Sequence, residues 1–239
     1  NTNRNLSYED IAVLYRTNAQ SRAFEGELRK NNIPYRIYGG TSFYQRKEIK
    51  DTLAYFRLAV NPKDNEALLR ALSFPSRGIG DTTMKKVTLS AIENNQSYME
   101  VMRHPDDYPL EMSGPMKKKI SAFAAMIDEL SAQSEEMDAF SFAEMLLRQT
   151  GVSTALMMDR TPEGIDRAQN VQELLNAIRE FVTQRANEGT DYTPITDFLS
   201  EVSLMTDHDD NQADTTYRVA RKTVHAAKGL EFPVVYIVG

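Results

Sequence analysis

Between Thr223 and Phe232 the chain crowds His225, Lys228, Gly229 and Glu231 together, directly ahead of the β-branched run Val234-Val235-Tyr236-Ile237-Val238. In open α/β sheets, ligands are handled by loops at strand ends. A polar loop feeding a buried strand is where such chemistry would sit, although an ordinary connection with solvated charges uses the same residue types. Arg16 and Asn18 stand two apart just past a second apolar run, Ile11 to Tyr15. One cation and one amide at that spacing can clamp a phosphate or a base edge; the alternative is a surface turn. Arg22, one turn further on, could join the same surface.

Two more stretches combine permissive backbone with charge. In Pro75-Ser76-Arg77-Gly78-Ile79-Gly80-Asp81-Thr82-Thr83, a Gly-x-Gly lies between two helical patterns. Such a turn brings backbone close to a partner, and free N–H groups at the next helix start suit a phosphate. With Arg77 adding charge and Thr83 a hydroxyl, this is a hairpin fitted to duplex backbone without sequence readout. A plain tight turn capped by Asp81 or Thr82 is the alternative. In Gly39-Gly40-Thr41-Ser42-Phe43-Tyr44-Gln45-Arg46-Lys47, a glycine pair suited to a hinge precedes two aromatics and two cations. Phe43 and Tyr44 could stack on bases or pack into a domain junction. Lys117-Lys118-Lys119 reads as a solvated face, the methionines as core filler, and His104 and His208 as surface residues.

The elements that position these groups follow from periodicity. Ile11–Tyr15 is a five-residue strand. Ala19 to Asn31 has helical spacing, with Phe24 and Leu28 on one face, and stops at Asn31-Asn32. Tyr35 to Tyr38 is the next strand, which makes a βαβ-like unit. From Lys47 to Thr190 the pattern is almost wholly helical, with helices over Ile49–Val60, Glu66–Leu72, Thr83–Asn94, Met116–Leu130, Phe140–Gln149 and Ile165–Ala186, and another over Pro194–Leu204. That much helix is enough for an independent domain. The acidic stretch Thr206 to Asp214 lacks periodicity and reads as a mobile loop, which returns the chain to the sheet near Tyr217-Arg218-Val219. The strands at the two ends, Ile11–Tyr15 and Val234–Val238, are candidates for one parallel sheet. That arrangement brings Arg16, Asn18 and His225 to one face beside Glu231.

Composition bounds the function. In 239 residues there is no cysteine and there are three histidines, which excludes disulfides, thiolate chemistry and Cys-based zinc sites. No metal site is expected, and the residue usage fits a reducing cytoplasm. No apolar run approaches the ~20 residues of a membrane span, so no membrane partner is expected. A net charge of −6 argues against coating nucleic acid with the whole surface, but it leaves room for a local basic groove. The polar start and the strand at the finish suggest a piece of a longer polypeptide.

Taken in order, these stretches resemble the superfamily 1 DNA helicases of the UvrD/Rep/PcrA type. The matching residues are Leu14-Tyr15-Arg16-Thr17-Asn18-Ala19-Gln20-Ser21-Arg22, Tyr38-Gly39-Gly40-Thr41-Ser42-Phe43-Tyr44, Glu48-Ile49-Lys50-Asp51, Asn61-Pro62, Arg77-Gly78-Ile79-Gly80-Asp81 and Thr223 through Phe232. The resemblance implies an α/β fold: a RecA-like parallel sheet (domain 2A, residues 1–39 and 214–239) interrupted by a mostly α-helical insertion (domain 2B, residues 40–213). It also implies that Arg16, Asn18 and His225 contact single-stranded DNA. The resemblance further implies that Glu231 hydrogen-bonds the ATP ribose, with Gly229 in the same ATP-binding site. By the same resemblance, Arg77, Gly78, Ile79, Gly80 and Thr83 are expected to grip duplex DNA. The implied parent is a 3′–5′ ATP-dependent helicase that uses ATP and Mg²⁺ and pairs this piece with an N-terminal motor domain.

No Gly-x-x-x-x-Gly-Lys-Ser/Thr loop occurs in the chain, and the family's final arginine motif is not among these residues. By itself the chain is therefore expected to bind no cofactor, hydrolyse no ATP and unwind no DNA. The reading from a different class is a catalytically inactive helicase-like scaffold that binds DNA or a protein. One departure stands out: Arg221-Lys222 occupies positions where the family carries an apolar pair. Two cations are costly in a doubly buried strand unless one is paired or exposed, which leaves open how Tyr217 to Lys222 sits in the sheet, an edge strand being one arrangement.

Overall fold

The computed structural model describes residues 6–38, 41–211, 218–223 and 231–238, with the side chains of residues 18 and 207–211 outside that description. Four strands are present among them: β1 (Ile11–Tyr15), β2 (Tyr35–Ile37), β3 (Val219–Thr223) and β4 (Val234–Val238). They form one sheet in the order β2-β3-β1-β4, with every pair parallel. Residues at opposite ends of the chain are thus direct neighbours. Ala12 pairs with Ala220 and Val235, and Tyr15 with Thr223 and Val238.

Helix α1 (Ser21–Lys30) links β1 to β2. Its stop is local chemistry: Asn32 takes a left-handed φ of 52° and the Ile33 amide closes on the Leu28 carbonyl at 2.8 Å, as asparagine-ended helices do. Helices α2 (Lys47–Val60), α3 (Asn65–Ser73), α4 (Asp81–Glu93), α5 (Tyr98–Arg103), α6 (Gly114–Glu136), α7 (Ala139–Gln149), α8 (Val152–Met158), α9 (Pro162–Asn187) and α10 (Ile195–Asn211) follow. Asp64, Ser97 and Asp138 accept from the first free amides of α3, α5 and α7, which stabilises each start.

The chain divides into two compact units, one of residues 1–50, 161–174 and 201–239 and the other of residues 51–160 and 175–200. The second unit is helical. Its core holds Phe56 against Phe142, ring centroids 6.2 Å apart, with Leu58, Leu68, Met99, Met102, Ile120 and Ile127 all fully buried.

Three expectations change, and one open placement is settled. β3 is an inner strand rather than an edge, and Arg221 is 0% exposed within it and paired. The sheet tolerates this because Arg221 Nη2 donates to Glu25 Oε1 at 2.7 Å and Nη1 to the Ser21 carbonyl at 2.9 Å, while the guanidinium lies over the Tyr35 ring at 4.9 Å. Lys222 sets its ammonium 4.4 Å from the Tyr38 ring centre. β4 is one of the two edges of the sheet formed by the described residues, β2 being the other, and Ile237 is 75% exposed although its sequence reads as a buried strand. The acidic stretch from Thr206 is helical as far as Asn211. Of the methionines, Met84, Met99 and Met102 are buried while Met157 and Met158 face solvent.

Phe43 and Tyr44 are packed inside the sheet unit, at 0% and 5% exposure, edge to face with centroids 5.2 Å apart. Burial pushes the Tyr44 phenol up to about 12, against the pull of Arg22 and Arg29. A raised phenol stays neutral in the fold. Below about pH 10 the folded and unfolded chains both hold the proton. From about 10 to 12 only the unfolded chain ionises, so stability falls as pH rises through that window. The absorbance titration of wild type minus Tyr44→Phe is expected to show one phenolate appearing near pH 12, and a midpoint at the ordinary value of about 10 would contradict the burial.

Candidate nucleic-acid interface

Parallel strands deliver their carboxyl ends to one edge of the sheet, and that edge is where ligands gather in open α/β folds. Tyr15 ends β1, Ile37 ends β2 and Thr223 ends β3. All three line a cavity of about 310 Å³, together with Tyr38, Thr41 and Arg46 and with Arg167 and Asn170 from α9. Burial raises the Tyr15 phenol above its ordinary value, with Arg221 and Arg46 pulling it back. Immediately beyond Tyr15 the chain turns: the Gln20 side-chain oxygen accepts from the Arg16 amide at 3.1 Å and from the Thr17 amide at 3.0 Å. This fixes the backbone of the turn and leaves Arg16 exposed at the strand end.

The Asn18 side chain, His225 and Gly229 lie outside the described residues, as does the Gly39-Gly40 pair. Glu231 is exposed but stands at the other end of the sheet from Arg16. Val234, three residues on, pairs with Ile11 at the start of β1, whereas Arg16 follows Tyr15 at its finish. In a parallel sheet the residues that enter one strand and leave its neighbour are separated by the strand length, so the expected placement of Glu231 beside Arg16 is not what the fold provides.

Along the cavity wall runs a polar chain that spacing alone does not bring out. Arg46 donates through Nη1 to Asn170 Oδ1 at 2.8 Å and through Nη2 to Ser21 Oγ at 2.7 Å, and Asn170 Nδ2 donates to Glu48 Oε1. Arg22, a candidate for the surface around Arg16, donates to Glu173 at 2.6 Å instead. Glu25 accepts from the Phe43 amide at both oxygens, 3.1 and 3.0 Å, and from Arg221 and Arg29. The available signal was Glu25 on the same helical face as buried Ser21, four residues earlier.

In the helical unit, the turn between α3 and α4 sorts its residues by direction. Gly78 has φ +66°, where a side chain is strained, and it is exposed. Ile79 is 8% exposed and anchors the turn. Gly80 is the exposed N-cap of α4, its carbonyl accepting from the Thr83 and Met84 amides at 3.0 and 3.1 Å. Arg77 points inward: Nη2 donates to the Tyr55 hydroxyl at 2.9 Å and to the Thr150 carbonyl at 2.8 Å, and the guanidinium lies 5.1 Å from the Phe123 ring centre. What the turn presents outward is backbone at Gly78 and Gly80, at a helix start that favours anions.

The chain that builds this sheet and this glycine hairpin matches a family model over residues 1–239: the UvrD-like helicase C-terminal domain. The chain belongs to that family. It is 39% identical over 237 residues to the ATP-dependent DNA helicase PcrA of Leuconostoc citreum, covering 99% of this chain and 31% of that protein. Against the PcrA helicases of Staphylococcus aureus and Staphylococcus epidermidis it is 35% identical over 232 residues, 97% of this chain and 31% of each relative. The chain therefore spans about a third of the length of these relatives.

Proposed function

We propose that this chain is the DNA-gripping part of an ATP-dependent, 3′–5′ DNA helicase, with residues 1–39 and 214–239 as motor domain 2A and residues 40–213 as insertion 2B. The observation that carries the reading is the shared edge of the sheet, where Arg16 and Thr223 follow or end neighbouring strands beside the 310 Å³ cavity. Arg16, Asn18 and His225 hold the backbone of a single strand there, a contact that needs no particular sequence. Glu231, at the opposite end of the sheet, contributes one wall of the ATP cleft, and Gly229 belongs to the same ATP-binding motif. One rigid sheet then carries nucleotide state to the strand. ATP and Mg²⁺ are bound with an N-terminal motor domain, and this chain by itself turns over no ATP. In the hairpin, Gly78, Gly80 and Thr83 meet a duplex backbone while Ile79 and Arg77 hold the turn in shape.

The hairpin provides the test. A Cβ at Gly80 would meet nothing within 4 Å, and the backbone there (φ −95°, ψ 178°) is an ordinary N-cap conformation. Asp is a favoured N-cap residue, so Gly80→Asp should fold at least as well as the wild type. Its carboxylate would meet the phosphates, and affinity for a duplex with a single-stranded tail is expected to fall about tenfold, equal to ~1.4 kcal/mol. Anisotropy titrations showing equal affinity in a folded variant would remove the duplex grip.

A further inference from the structure

The helical unit places a lysine on the hairpin that sequence spacing left without a role. Lys117, Lys118 and Lys119 open α6 and, at about 100° per residue, leave the helix in three directions. Lys117 donates to Asp106 at 2.9 Å and Lys118 faces solvent. The Lys119 ammonium lies 3.0 Å from where a Cβ at Gly78 would stand. One turn along the same face, Phe123 supports the Arg77 guanidinium. Two successive hairpin residues therefore rest on two successive turns of α6. The pair differs in accessibility: Arg77 is drawn inward onto Tyr55 and Thr150, whereas Lys119 and Gly78 are both exposed. A carboxylate, Asp81, is exposed at the first position of α4 beside the same turn, and it repels a phosphate unless a cation offsets it.

From this geometry we propose that Lys119 supplies the positive charge with which the hairpin holds a duplex phosphate, the part that spacing assigns to Arg77. Gly78 then serves twice. Its left-handed φ shapes the turn, and its missing side chain gives the ammonium room against the backbone. The inference rests on the duplex reading given above and deepens it by naming the cation.

Anisotropy titrations of this chain with a tailed duplex, between about 50 and 200 mM salt, test the assignment. Neutralising one phosphate contact lowers the slope of log K against log salt by about 0.9. Lys119→Gln is expected to lose about three- to tenfold in affinity and that one increment of slope, Lys119→Arg to retain both, and Lys118→Gln to change neither. If Lys119→Gln binds as the wild type does while Gly80→Asp is weakened, the cation is misassigned and the duplex grip stands. If Lys118→Gln and Lys119→Gln lose equally, the triplet acts as a diffuse field and the specific assignment fails. If Gly80→Asp and Lys119→Gln both bind as the wild type does, the duplex reading itself falls.

Discussion

Glu25→Ala is expected to lower folding stability by about 3–5 kcal/mol, the range for breaking a buried ion pair from one side. The magnitude follows from what is left behind. Arg221 is 0% exposed on an inner strand, so without Glu25 its guanidinium keeps the Ser21 carbonyl but has lost its counter-charge in a place water does not reach. The Phe43 amide, which donates to both Glu25 oxygens, loses its acceptor too. The loss reaches the turn Phe43–Gln45, because Phe43 is its first residue. A thermodynamic cycle separates charge from shape. Glu25→Gln keeps the volume and removes the charge, and adding Arg221→Met removes the stranded cation, so the double variant should be more stable than Glu25→Gln alone. Urea unfolding followed by circular dichroism reads this directly, and strictly additive losses would mean that Arg221 does not depend on Glu25.

The same pair shows what a single sequence discloses and what it withholds. β1 and the end of α1 were legible because their causes are local: a β-branched or aromatic apolar run, and an Asn-Asn pair able to take a left-handed φ. The place of β3 stays open in the sequence because the groups that make Arg221 and Lys222 tolerable are remote, Glu25 lying 196 positions away and Tyr38 just past another strand. β4 looked buried from its own residues, but exposure depends on its place in the sheet order, which no periodicity encodes. The acidic end of α10 reads as loop because carboxylates at a helix C-terminus oppose the dipole, yet the backbone stays helical to Asn211. Helices α5 and α8, six and seven residues long, are too short to display a helical period. For the site, the strand-end position of Arg16 was legible from the run before it. The opposite placement of Glu231 was legible too, because in the expected parallel sheet Glu231 enters β4 where Ile11 begins β1 while Arg16 leaves β1 at its finish; setting the two side by side overlooked the strand length between them.

Arg77→Ala should cost about 2–4 kcal/mol of stability and leave the salt dependence of DNA binding unchanged. A cation in a glycine-rich turn looks directed at a ligand when only neighbouring residues are visible; its actual partners, Tyr55 and Thr150, are 22 and 73 positions away. Hydrogen bonds from a charged donor contribute about 1.5–3 kcal/mol each, and the stack between Tyr55 and Phe123 adds about 0.5–2, without full additivity. The Tyr55 hydroxyl keeps its own bond to the Ala71 carbonyl at 2.7 Å, which holds the loss below the simple sum. Arg77→Lys should recover only part of it, because an ammonium lacks the planar fork that reaches Tyr55 and Thr150 together. Unfolding midpoints and salt slopes measured on the same variants distinguish the two possible roles. An inward arginine moves the midpoint and spares the slope, as Lys119→Gln should do in reverse. A lowered slope with an unmoved midpoint in Arg77→Ala would place its guanidinium on the phosphates and transfer to Arg77 the role assigned above to Lys119.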